Sequence, residues 1–213
     1  MNNQILVTRP LYDLTTHYLS HWNKLLIDFA VAKHFRVIDL DGKRANRKEF
    51  MSVMKKRTPY ILILNGHGNS DTLTGQNGEI LVKTNLNNQI LKSTIVYVLS
   101  CKTGKILGPN SIRKGTISYL GYKEDFIFIT AKNKTNRPTE DEVAKLFFAP
   151  SNHLIISLIK GHTTGSSHLR SKQMFLQTIQ KLITTNSQYS YVVRYLLWDM
   201  QHQVCLGDQQ AKI

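Results

Sequence analysis

The sequence predicts an α/β fold in which a mainly parallel sheet is covered by helices on both sides. Three observations predict it. Several five- to six-residue runs are apolar at every position, as strands buried on both faces must be. Stretches with apolar residues three and four apart lie between them. No Pro-, Gly- or Ser-rich linker interrupts the 213 residues, so residues 1–213 read as a single domain.

Gln4 to Thr8 is the first apolar run, closed by Arg9-Pro10. Asp13 to Phe35 follows, with Leu14, Tyr18, Leu19, Trp22, Leu25, Leu26 and Phe29 on one side of an amphipathic helix. Arg36 to Leu40 reads as a strand, Asn46 to Lys56 as a helix, and Pro59 to Leu64 as a strand ending at Asn65-Gly66-His67-Gly68. The polar stretch 69–88 carries turn signals around a short strand, Ile80 to Val82. Thr94 to Leu99 is another buried strand, ending at Ser100-Cys101. Strands are expected at Thr116 to Leu120 and Phe126 to Thr130. Helices are expected at Thr139 to Phe148, Asn152 to Lys160 and His168 to Thr184, before a closing segment from Tyr191 to Leu206.

Composition narrows the function. The chain is 41% apolar and 20% charged, which suits a folded globular protein. No apolar run reaches the roughly 20 residues that span a bilayer. The first residues lack a basic start and a cleavable apolar stretch, so no membrane association and a cytoplasmic location are expected. Two cysteines, Cys101 and Cys205, cannot form a disulfide framework. Reduced thiols are available as nucleophiles. The 28 basic and 14 acidic residues leave a net charge of +14, which attracts acidic partners. The basic residues are scattered, without the aromatic interleaving of an RNA-binding sheet, so a solvated basic surface is favoured over nucleic-acid binding.

The chemistry-bearing residues sit at two strand ends. In parallel α/β sheets, functional groups gather where loops leave the carboxyl ends of the strands. His67 lies between two glycines at one such end, and Cys101 in a small-residue turn at the other. If the two strands are neighbours, both side chains face one crevice. A thiol is a strong nucleophile only when ionised, and an imidazole can take its proton and return one to a leaving amine. The oxyanion then needs amides free of the sheet. Gly68 and Cys101, just past their strands, are the expected donors, and Gly68 admits a close substrate carbonyl.

The order strand–His-Gly, then strand–Ser-Cys, resembles the caspase-like cysteine peptidases, which include caspases, legumain, gingipains, separase and CHAT-domain peptidases. LSCKTG (99–104) is similar to the CHAT-type nucleophile segment, one residue shorter between Ser and Cys. GTISYLGYKEDFIF (115–128) is similar to the strand and Gly-Tyr turn that follow the nucleophile in CHAT and gingipain-like domains. Residues 158–176 are similar to their later helix pair, and 206–208 to their closing strand. The resemblance implies a three-layer α/β/α sandwich, thiol endopeptidase activity on a protein or peptide substrate, and Cys101 as nucleophile with His67 as its acid/base partner. A peptidase without a sensor domain also implies a regulatory protein partner. Two other functions fit the same residues: a catalytically silent caspase-like binding module, and a basic nucleic-acid-associated protein.

Five charged residues are expected to line the substrate pocket. Arg9 leaves the first strand, where caspases place a pocket arginine that selects acidic residues. Asp13, Asp71, Glu124 and Asp125 lie in loops near the same edge, and a carboxylate there selects arginine or lysine by paired hydrogen bonds. Asp13 also fits a helix N-cap, and Asp71 could simply stabilise its loop. A basic preference is the expectation. No cofactor or catalytic metal is expected. Asp71 breaks the dinucleotide pattern begun by Gly66 and Gly68, Leu99 and Ile106 break a phosphate loop around Gly104-Lys105, and Tyr18 replaces the glutamate of HExxH between His17 and His21.

Overall fold

The strands that the sequence marks as apolar throughout assemble side by side. The computed structural model of the protein describes residues 4–213. Its main sheet contains β1 (Gln4–Arg9), β2 (Arg36–Asp41), β3 (Ile61–Asn65), β6 (Ile95–Leu99), β7 (Ser118–Tyr122) and β8 (Gln203–Gly207), in the order β2-β1-β3-β6-β7-β8. All neighbours are parallel except β7 and β8. Every residue of β3, β6 and β7 is buried.

Alternate residues of these strands feed two cores. On one side Ile5, Val7, Ile61, Ile63, Ile95, Tyr97 and Leu99 pack with α1 (Leu14–Ala32), α4 (Glu142–Ile159), α5 (Thr164–Thr184) and α6 (Val193–His202). On the other, Leu6, Leu62, Leu64, Val96 and Val98 meet Phe50 and Met54 of α2 (Arg47–Arg57) and Leu107 of α3 (Leu107–Arg113). The result is the expected three layers. A separate antiparallel hairpin, β4 (Thr72–Thr74) with β5 (Ile80–Lys83), stands beyond the end of β3.

Several local expectations change. Residues 126–130 are not a strand. The Phe126 and Phe128 rings pack on Phe148, and the Ile127 and Ala131 amides donate to the Asp199 and Asp141 carboxylates rather than to a strand ladder. The two helices expected on either side of Pro150 are one helix, α4. Proline removes the hydrogen bond that residue 150 would give to the Leu146 carbonyl, yet the helix runs on, and around it Ser171 of α5 donates to the Pro150 carbonyl and the Ser151 hydroxyl to the Phe147 carbonyl. Strand β7 starts two residues later than expected and runs to Tyr122, so Lys123-Glu124-Asp125 leaves directly from the strand end. The closing segment divides into α6 and β8. Helix α3 was not expected. Among the described residues, no helix is long and apolar enough to cross a membrane.

Candidate active site

Register places the two reactive residues. In the β3–β6 pair Asn65 lies opposite Leu99, so His67 and Cys101 each follow two residues beyond the same rung. The strand ends are held close. A Cβ on Gly68 would lie 2.5 Å from Ser100 Oγ, 2.8 Å from Thr103 Cγ2 and 3.0 Å from the Cys101 carbonyl oxygen. Only glycine lets the two loops approach this far. Gly66 turns the chain with φ +152°, where a Cβ would strike the Thr74 carbonyl oxygen at 2.0 Å.

His67 is fixed from both ends. Its carbonyl accepts from the Thr74 amide at 2.9 Å and the Thr74 hydroxyl at 3.0 Å, so the hairpin braces its backbone. Its ring Nε2 lies 2.6 Å from Asp13 Oδ2, and Tyr12 packs edge-on with ring centroids 6.0 Å apart. Asp13 is also the N-cap of α1. Its Oδ1 accepts from the Thr16 amide while the Thr16 hydroxyl accepts from the Asp13 amide, a reciprocal cap. Partial burial disfavours the Asp13 carboxylate, but the Thr16 amide and the His67 ring together outweigh it and hold its pKa below the ordinary value. Asp13 therefore serves the helix and the histidine at once. With Nε2 bound to this carboxylate, Nδ1 is the ring nitrogen left for a second partner.

Cys101 is half-buried. Its Sγ makes a 4.0 Å contact to the Phe126 carbonyl and interacts with the Asp125 side chain, and among the described residues no hydrogen bond joins it to His67. Burial pushes the thiol up to about 11; the Asp125 carboxylate adds to this, while the Phe126 backbone and the Lys102 ammonium partly offset it. Two amides point free. The Gly68–Leu73 bridge bonds through the flanking Asn69 and Thr74 amides, so neither the Gly68 nor the Cys101 N–H has a protein acceptor among the described residues.

The other residues expected in the pocket fall into two groups. Glu124 and Asp125 flank the Cys101 segment. The Glu124 carbonyl accepts from the Lys102 amide at 3.1 Å, Glu124 Oε1 is 3.1 Å from Lys105 Nζ, and Asp125 Oδ2 is 2.9 Å from Lys102 Nζ. Arg9 and Asp71 are committed elsewhere. Arg9 is buried, bonded to Asp39 at 2.7 Å and 2.9 Å, to Asp41 at 3.1 Å and to Ser20 at 2.9 Å. The guanidinium ties the ends of β1 and β2 to α1 instead of facing the crevice, which corrects its placement as a pocket cation. Asp71 accepts from Thr72 at 2.7 Å and lies 3.8 Å from Lys83, within the β4–β5 hairpin. That placement also runs against a pocket role.

The sequence did not single out Tyr12, Lys102, Trp198 or Asp199 as site residues. Trp198 Nε1 donates to the Asp125 carbonyl at 2.9 Å, and Asp199 Oδ1 accepts from the Ile127 amide at 3.0 Å. Both come from α6, more than 70 residues further along the chain, so no local pattern could have indicated them. An open depression beside the His67–Asp13 pair is lined by Tyr12, Asp13, His17 and Asn136 among others. His17 is tied to the Thr135 carbonyl at 3.0 Å. No group of three or more His, Cys, Asp or Glu side chains with metal-ligand geometry occurs among the described residues.

No protein-family model and no curated protein matches the sequence. Solved structures do match in shape. The crystal structure of the Arg-specific cysteine proteinase gingipain R (RgpB) aligns with a TM-score of 0.64 at 9% identity, covering 99% of this chain and 47% of that one. The complex of Porphyromonas gingivalis RgpB pro- and mature domains aligns with a TM-score of 0.62 at 8% identity, covering 99% of this chain and 48% of that one. The chain thus spans about half the length of the gingipain chains it matches. A six-stranded, mostly parallel sheet between helical layers, superposing on these structures over nearly its full length, is the caspase-like fold of the gingipain chains.

Proposed function

We propose that the protein is a cysteine endopeptidase in which Cys101 is the nucleophile and His67, oriented by Asp13, is the general acid and base. One observation supports this: His67 and Cys101 each follow two residues beyond the shared β3–β6 rung, and Asp13 Oδ2 lies 2.6 Å from the imidazole. Asp13 holds the proton on Nε2, which leaves Nδ1 to take the thiol proton as the thiolate attacks the scissile carbonyl carbon. The unpaired Gly68 and Cys101 amides are suited to receive the oxyanion. The imidazolium then protonates the leaving amine as the C–N bond breaks. Water, deprotonated by His67, hydrolyses the thioester and restores the thiol.

Glu124 and Asp125, the carboxylates beside Cys101, favour a basic residue before the cut. The gingipain with which the fold is shared is described as Arg-specific. A peptidyl acyloxymethyl ketone ending in arginine is expected to alkylate Cys101 and spare Cys205, read by peptide mass, and to react faster than its aspartate counterpart. Faster capture by the aspartate probe would overturn the basic preference, and indiscriminate labelling of both thiols would overturn the nucleophile.

A second reading, a caspase-like binding module without turnover, is favoured by one feature. Burial pushes the Cys101 thiol up to about 11, which disfavours the thiolate at neutral pH.

A further inference from the structure

We propose that residues Asp125–Ile127 form an autoinhibitory strap over Cys101, locked in place by Trp198 and Asp199 of α6. This rests on the peptidase reading and concerns the regulation of the same site. The strap is irregular backbone leaving the end of β7, and it touches the nucleophile segment twice. The Phe126 carbonyl stands 4.0 Å from Cys101 Sγ, and the Asp125 carboxylate grips Lys102, the next residue, at 2.9 Å. Lys102 has a left-handed backbone, φ +58°, held by its amide bond to the Glu124 carbonyl.

Helix α6 secures the strap from behind on either side of Phe126. The Trp198 indole binds the Asp125 carbonyl at 2.9 Å, and Asp199 binds the Ile127 amide at 3.0 Å. The Phe126 ring is anchored in the core against Tyr122 and Phe148, with centroids 4.9 Å and 5.8 Å away. Asp199 is fully buried, its Oδ2 has no hydrogen-bond partner among the described residues, and burial raises its pKa well above the ordinary carboxylate value. A fully buried carboxyl group spent on one backbone amide of this strap is a costly device for packing alone.

The strap explains why the thiol is poorly ionised. It both buries Cys101 and sets a carboxylate against it, each of which disfavours the thiolate. Opening it would expose the thiol to His67 and to substrate. The ties differ in strength. The Lys102–Asp125 pair and the Trp198–Asp125 bond are both solvent-exposed and easily exchanged, whereas Asp199, buried in α6, is the firmer hold.

The test uses the full chain at pH 7.5 with iodoacetamide, reading Cys101 and Cys205 separately by mass. Trp198→Phe removes the indole donor, and Asp125→Asn removes the carboxylate from the thiol at a surface position. Each is expected to raise the Cys101 alkylation rate by about tenfold or more, the change for one unit of thiol pKa, with Cys205 unchanged. Unchanged Cys101 rates in both variants would overturn the strap. If Trp198→Phe accelerates both cysteines, it has loosened the fold, and Asp125→Asn alone decides. Peptide cleavage assayed in parallel separates the two ideas. Faster alkylation without any cleavage keeps the strap and removes the peptidase, whereas cleavage with unaltered alkylation does the reverse.

Discussion

Replacing His67 with alanine is expected to lower peptide cleavage by about 10²–10⁴-fold, the range for losing a positioned general acid and base. The fold should survive. The His67 side chain is substantially exposed, its one hydrogen bond is to Asp13, and the bonds that brace the loop come from its carbonyl. Thermal melting should therefore move little while turnover collapses. Asp13→Asn is the matching control. Asparagine caps helices about as well as aspartate, so α1 should hold, while the lost carboxylate weakens the hold on the imidazole and lowers turnover less than His67→Ala does. The acid limb of stability should differ as well. The Asp13 pKa is depressed in the folded chain, so its stabilising contribution is present above the ordinary aspartate value of about 3.9 and fades as pH falls through the folded value. Urea midpoints below about pH 4 should show this loss in the wild type and not in Asp13→Asn.

Gly68→Ala is expected to have the second-largest effect, and it acts on both stability and activity. The added methyl would meet Ser100 Oγ at 2.5 Å and the Cys101 carbonyl at 3.0 Å. The serine hydroxyl can rotate away, but the carbonyl belongs to the Cys101 backbone. Strand ends that are fully buried and parallel have little room to part. The cost should be about 1–3 kcal/mol, as for other overpacked positions. Relief can come only by moving the Ser100-Cys101 turn, and a displacement on the order of 1 Å at a reacting atom costs about 10²-fold in rate. Urea unfolding and cleavage of one peptide by the same preparation would show both. A variant of wild-type stability and rate would mean that the two loops are not packed as described.

Much of this arrangement was legible before the structure. The strands carrying His67 and Cys101 are apolar at every position and end in Gly- or Ser-containing turns, a local signal that long-range packing reinforces. Asp13 was legible as a cap, and its second role became visible only when β1, α1 and β3 came together. Other features had no local signature. Residues 126–129 are apolar throughout, like a buried strand, yet the Ile127 amide and the Ala131 amide just beyond are satisfied by carboxylates from α6 and from α4's N-cap. Pro150 looked like a helix end because proline costs a helix one internal hydrogen bond, and the packing that holds α4 across it comes from α5, another element. Helix α3 opens Leu107-Gly108-Pro109, which reads as a turn, although proline is tolerated in a first helical turn. Arg9 stands at the strand end where a pocket arginine was expected, but Asp39 and Asp41 emerge from the neighbouring strand to claim it. Partners that arrive from other elements are the common reason for residues 126–131, Pro150 and Arg9.

The most direct measurement is a digest of casein and of a peptide pool by the wild type and by Cys101→Ala, in buffer, with calcium and with candidate partner proteins. Cleavage by the wild type that disappears in Cys101→Ala, with both proteins folded, is the predicted result. Identical product patterns from the two proteins under every condition would contradict Cys101 as the nucleophile of a peptidase.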